Sequence, residues 1–154
     1  MSGFEHSNSK HGQLSINSVN MMCPAWRIMN LATLWTRAAR GDDLVIPLAD
    51  GQKSRARRKD RLVLPMVLRV SGTHSSAGTP AANPYSQLAT NMVALEAVSI
   101  NPSGTTGHAS TWTLPNGTTR TANVWIQNWG VSDDQAAPIN IVTFDLVIPS
   151  GGYA

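Results

Sequence analysis

A single cysteine, Cys23, stands in the 154 residues, so an internal disulfide framework is excluded. No second Cys and no clustered His offers it a partner for a metal site, and it reads as a reduced, partly buried thiol. Charge is scarce too, at 14% of residues, while Ser, Thr, Asn and Gly are plentiful. That balance suits a strand-rich body with a small-polar surface better than a set of charged helices. No run of 18 apolar residues occurs, and the opening "MSGFEHSNSKHGQ" lacks the apolar core of a signal peptide. The expectation is one domain, made and folded in a cytoplasm, long enough to bury its own core.

Catalytic chemistry needs convergent titratable groups, and few are on offer. His6, His11, His74 and His108 lie in the N-terminal stretch or in Gly/Ser-rich segments, without the spacing of a zinc helix. They read as surface-loop residues. Asp42-Asp43 and Asp133-Asp134 are neighbours in sequence only, because adjacent side chains of an extended chain point opposite ways, and they read as turn formers. Ser75 and Ser76 follow His74 without a nucleophile elbow. No Lys follows Gly72 or Gly78 as a phosphate loop requires. Asn116-Gly117-Thr118 matches a glycosylation acceptor, but a turn explains the same residues. The sequence therefore assigns no catalytic, cofactor-binding or metal-ligating residue.

Along the chain, residues 1–13 read as a flexible lead-in and 14–154 as a single domain. "LSINSVNMMCPAWRIMNLATLW" predicts two or three short strands, anchored by Trp26, Ile28 and Trp35. "DLVIPL" (43–48) predicts an edge strand because of Pro47. In "RLVLPMVLRV", Leu62, Leu64, Met66, Leu68 and Val70 share one face. Asn83-Pro84 opens a helix of about fourteen residues with a stripe of Tyr85, Leu88, Met92 and Leu95, and Asn101-Pro102-Ser103-Gly104 stops it. "HASTWTLPNGTTRTANVWIQNW" predicts a hairpin with a tight Asn116-Gly117 turn, Trp112 and Leu114 sharing one face and Val124 and Ile126 another. "INIVTFDLVIP" predicts a central strand with Val142, Phe144, Leu146 and Ile148 on one side. Seven to nine strands and one helix, without a βαβ rhythm, predict an antiparallel β-sandwich flanked by the helix.

What is present in excess is local. Half of all Lys and Arg fall between Lys53 and Arg61, and without that segment the net charge of +3 turns slightly negative. Lys53, Arg55, Arg57, Lys59 and Arg61 are all odd-numbered, so an extended chain projects them to one side, with Arg58 on the other. Three readings compete. Cations spaced by about 6.6–6.8 Å could track a phosphate backbone, but no aromatic interrupts the run to stack on bases. A solvated arm could use its charge to prevent edge-to-edge aggregation. Or the arm reaches a neighbouring copy, where Asp42, Asp43, Asp133 and Asp134 meet the cations and set register.

The succession "AWRIMNLATLW", "RGDDLVIPLADGQKSRARRKDRLVLPMVLRVSG", "NPYSQLATNMVALEA", "STWTLPNGTTRTANVWIQ" and "FDLVIPSGGYA" resembles small minor tail proteins of long-tailed, siphovirus-type actinobacteriophages, the group that includes distal tail proteins. The likeness runs from Ala25 to Ala154. It implies a β-sandwich with one packed helix and a projecting basic hairpin, assembled as a ring, typically sixfold, at the distal end of the tail tube in the virion. Residues 51–61 match the inter-subunit arm or belt, and residues 83–98 the packed helix. The implied partners are other copies, the tail tube protein and tail-tip hub proteins, with DNA only passing through the lumen, and no membrane, cofactor or enzymatic activity. A tail terminator or tube protein, or a small nucleic-acid-binding module without sequence specificity, are the alternatives. Trp26, Trp35, Trp112 and Phe144 are expected as core or interface anchors.

Overall fold

The computed structural model describes residues 10–36, 61–133 and 137–154. Among them are the strands β1 (Gln13–Ile16), β2 (Val19–Asn20), β3 (Trp26–Ile28), β4 (Leu62–Ser71), β5 (His108–Thr113), β6 (Thr119–Asp133) and β7 (Ile139–Ile148). They join in one antiparallel sheet ordered β2-β1-β5-β6-β7-β4-β3. A 3-10 helix (Leu31–Trp35) and one α-helix, α1 (Pro84–Ser99), complete the fold. The mainly β, antiparallel class follows the sequence expectation. The strands form one curled sheet in which β6 serves both halves, pairing with β5 through Val124 and with β7 from Trp125 onward. No helix among the described residues is long and apolar enough to cross a membrane.

Alternation decides the inner face. Leu62, Leu64, Met66, Leu68 and Val70 are all buried along β4, and Val142, Phe144, Leu146 and Ile148 along β7, as their period of two requires. Leu14, Ile16, Trp112, Val124, Ile126, Trp26 and Ile28 carry the same core across the other strands. Burying side chains of this size stabilises by roughly 1.5–3 kcal/mol each. In β6 the parity flips. Asn128 and Trp129 together oppose Phe144, with Asn128 at φ +56°, a left-handed position that Asn tolerates better than other non-glycine residues. This bulge turns Trp129 inward, where it stacks on Phe144 at 5.4 Å.

Ragged strand ends leave backbone groups that asparagine amides satisfy. β5 stops opposite Val124, and beyond it Asn101 takes its place: the Ile126 N–H donates to Asn101 Oδ1 (2.8 Å) and Asn101 Nδ2 donates to the Ile126 carbonyl (2.7 Å). Asn30 does the same for β4, donating to the Pro65 carbonyl (2.8 Å) and accepting from Val67 N–H (3.0 Å). Pro65 sits within this interior strand because its edge there faces the Asn30 amide, where no N–H is demanded.

The α1 boundary follows its chemistry. Asn83 Oδ1 accepts from Ser86 N–H (3.3 Å), Pro84 opens the first turn, and the helix runs 16 residues, slightly longer than expected. Its buried line is not the expected one. Asn91, Leu95 and Val98 are buried, Leu88 and Met92 partly, while Tyr85 faces outward. The polar Asn91 is accommodated because it donates to the Ser71 and His74 carbonyls and accepts from Gln87 Nε2. Gly72 allows the approach, since a Cβ there would run into the Pro84 carbonyl.

Three further expectations are corrected. Gln13, expected in the lead-in, pairs with Thr113 in β1, and residues 1–9 lie outside the described residues. Asp133 closes β6 opposite Asn140 instead of forming a turn. His108 opens β5 and is only 4% exposed, so the surface-loop reading fails for it; its Nε2 is buried without a hydrogen-bond partner. The 43–48 edge strand and Asp134 lie outside the described residues.

Replacing Asn101 by Ala should cost about 1–3 kcal/mol, because it leaves a buried N–H and C=O on β6 unsatisfied. Denaturant unfolding measures this, and an unchanged midpoint would show that water serves Ile126 equally well.

Candidate functional site

Of the cationic row, Lys53, Arg55, Arg57, Arg58 and Lys59 lie outside the described residues, as do Asp42 and Asp43. Arg61 is described and exposed. What the structure does place is the ground on either side of that segment. Leu62, directly after Arg61, pairs with Ile148 near the end of β7. Trp35, two residues before position 37, packs edge-to-face on Trp112 (centroids 4.8 Å), and Trp112 packs on Tyr153 (6.0 Å). Leu62 thus meets the C-terminal segment 148–154 directly, and Trp35 connects to it through Trp112.

That segment is built into the sheet. After a turn at 149–152, Ala154 and Thr121 exchange backbone hydrogen bonds (3.0 and 3.1 Å) along the β6 edge that β7 has already left. Tyr153 is thereby turned into the core. Ser110 Oγ donates to the Ser15 carbonyl (2.8 Å), so its proton is committed and the Tyr153 hydroxyl is the donor in their 2.6 Å contact. Burial pushes the Tyr153 hydroxyl well above the ordinary tyrosine range, and burial likewise raises the Cys23 thiol.

The aromatic pair is positioned by polar tethers. Trp112 Nε1 donates to the His11 carbonyl (2.7 Å), and Trp35 Nε1 donates to His11 Nδ1 (3.2 Å). Gly12, at φ +87°, brings His11 this close, since a Cβ there would run into the Thr113 carbonyl. The Arg120 guanidinium lies over both rings, at 5.6 Å from Trp35 and 5.8 Å from Trp112, a contact worth about 0.5–1 kcal/mol where exposed. Trp35 remains 48% exposed, so of its two expected roles, core or interface anchor, the core one does not hold, whereas Trp26, Trp112 and Phe144 are buried.

Sequence reading misses His11, Arg120 and Tyr153. A two-residue turn at Asn116-Gly117 would set Thr121 opposite Trp112. The actual loop spans three residues, with Gly117 N–H donating to Leu114 O (2.9 Å) and Leu114 N–H to Thr118 O (2.8 Å), and it sets Arg120 there. The Asn116 side chain is used inside the turn, accepting from Thr118 N–H (3.0 Å). The other flagged groups do not converge: His74 Nδ1 contacts Thr73 Oγ1 (3.1 Å), and Ser75 Oγ accepts from Thr79 N–H (3.1 Å). Among the described residues, no group of three or more His, Cys, Asp or Glu is placed to hold a metal ion.

Comparison with protein-family models, with curated proteins and with solved structures finds no match to this chain.

Tyr153 and Cys23 ionise less readily folded than unfolded, so the stability they contribute is intact at neutral pH. It falls as pH rises above about 8.5 for the thiol and about 10 for the phenol, where the unfolded chain ionises first. Denaturant midpoints measured from pH 7 to 11 should decline over that range. In Tyr153→Phe the decline above about 10 should flatten; an unchanged slope would place the loss elsewhere.

Proposed function

We propose that this chain is a virion structural protein, a subunit of a ring at the distal end of a phage tail tube that joins the tube to the tail tip. The observation that carries the reading is the common footing of the basic segment. Of its two described flanks, Leu62 pairs with Ile148 and Trp35 packs on Trp112, which packs on Tyr153, so both connect to the C-terminal segment, an arrangement that suits an arm. In this reading the two halves of the sheet that share β6 correspond to the two layers of the family's β-sandwich, and α1 to its packed helix. Residues 51–61 are the inter-subunit arm or belt. The chemistry is assembly and not catalysis. Lys53, Arg55, Arg57, Lys59 and Arg61 meet carboxylates of a neighbouring copy or of the tube, and one such arm per chain suffices to close a circle of heterologous contacts.

Like charges on one strand face repel within a Debye length of about 8 Å, so the row gains most when a partner supplies counter-charge. A tail terminator or tube subunit would use the same parts. Light scattering of the purified protein over a concentration series, run beside a salt titration against duplex DNA, tests the reading. Self-association should weaken with salt, and weaken further when the five cations are replaced by Gln. A monomer that binds DNA with a steep salt slope overturns it in favour of a phosphate-binding module.

A further inference from the structure

Helix α1 has two apolar sides. One, through Leu88, Asn91, Leu95 and Val98, lies against the core. The other runs Tyr85, Ala89, Val93, Glu96, Ile100, spaced by four, four, three and four, which is again a single helical stripe. Tyr85, Val93 and Ile100 on it are 61%, 62% and 67% exposed. Glu96 is the only charge in the helix. A helix apolar on both sides is normally covered on both.

The reverse side of the sheet carries a matching irregularity. Arg27 of β3 and Arg69 of β4 stand directly opposite one another, with Ile141 next in the row. Like charges so placed destabilise a pair of strands, and neither forms a salt bridge among the described residues. Asp145 shares that face, but it is paired across from Pro65 and accepts from Asn128 Nδ2 (2.7 Å). Beside the arginines, Met29 is 56% exposed and Val67 partly so. Among the described residues, one surface is thus apolar with a lone carboxylate, and another apolar with two guanidiniums that no carboxylate meets.

We infer that copies of this chain associate head to tail, the outward stripe of α1 on one copy seating on the outer sheet face around Arg27 and Arg69 of the next. Both surfaces belong to every chain and are distinct from one another, so the contact is heterologous and leaves each copy with one free surface for the next. Glu96 supplies the carboxylate that the arginine pair lacks among the described residues, and Tyr85, Val93 and Ile100 cover Met29 and Val67. Closing these contacts into a ring rests on the tail-subunit reading, whereas the contact itself makes no use of residues 37–60.

Charge exchange tests this. Glu96→Arg alone should weaken self-association by about tenfold or more, and so should Arg27→Glu with Arg69→Glu, each with thermal stability near that of the parent. An equimolar mixture of the two variants should associate again, because every contact in an alternating array is then between opposite charges. A parent chain monomeric at every concentration, charge variants that associate like the parent, or a mixture that stays dissociated each overturns the inference. The chain with Lys53, Arg55, Arg57, Lys59 and Arg61 replaced by Gln separates it from the arm reading. If association survives that change but not Glu96→Arg, the helix-to-sheet contact stands and the arm is dispensable. If it is lost with the arm and indifferent to Glu96→Arg, the arm stands and this contact falls.

Discussion

β6 offers more backbone than either neighbour can satisfy, and the shape of the molecule follows from how that demand is met. β5 covers one edge only to Val124, and Asn101 continues it with a side-chain amide in place of a strand residue. β7 covers the other edge from Trp125 on, and Ala154 returns to bond Thr121 after β7 has turned away. A buried peptide group without a partner costs as much as a lost hydrogen bond, so these additions are needed for a single strand to belong to both halves of the sheet. The curl, the inward placement of Tyr153 and the position of the end of α1 are consequences of that one requirement.

The same requirement links the body to its surface features. Because Ala154 is bonded along β6, Tyr153 is driven under Trp112, and Trp112 is what Trp35 and Arg120 pack against. The footing of the basic segment is therefore continuous with the core. Ser110, Tyr153, Trp112 and Trp35 thus form one unbroken line of contacts that ends beside position 37.

Much of this fold is legible in the sequence. Period-two alternation marks the inner faces of β4 and β7 because both strands are long and one-sided in their burial, and Asn83-Pro84 marks the start of α1 because capping is a local matter of two residues. The pairing partner of Trp112 is not legible, because one extra residue in the Pro115-Asn116-Gly117 loop shifts the register by one and exchanges Thr121 for Arg120. Nor is the parity change at Asn128, where Gly130 in the same strand hints at a bulge but the left-handed residue is an asparagine. Sequence pattern misplaces His108 and Tyr85 for the same reason: which side of an element is covered depends on what packs there, and composition does not carry that. The row Lys53, Arg55, Arg57, Arg58, Lys59 is legible as a pattern, but its placement lies outside the described residues.

The strand order has a kinetic corollary. β5, β6 and β7 follow one another as a meander joined by short connections, whereas β1 must find β5 across more than half of the chain and β4 must find β7 across about half of it. Loop-closure entropy makes those distant pairings unfavourable until a template exists to receive them. The meander is the template that the topology supplies, and the N-terminal strands are latecomers, added to either flank of a nucleus drawn from the C-terminal third.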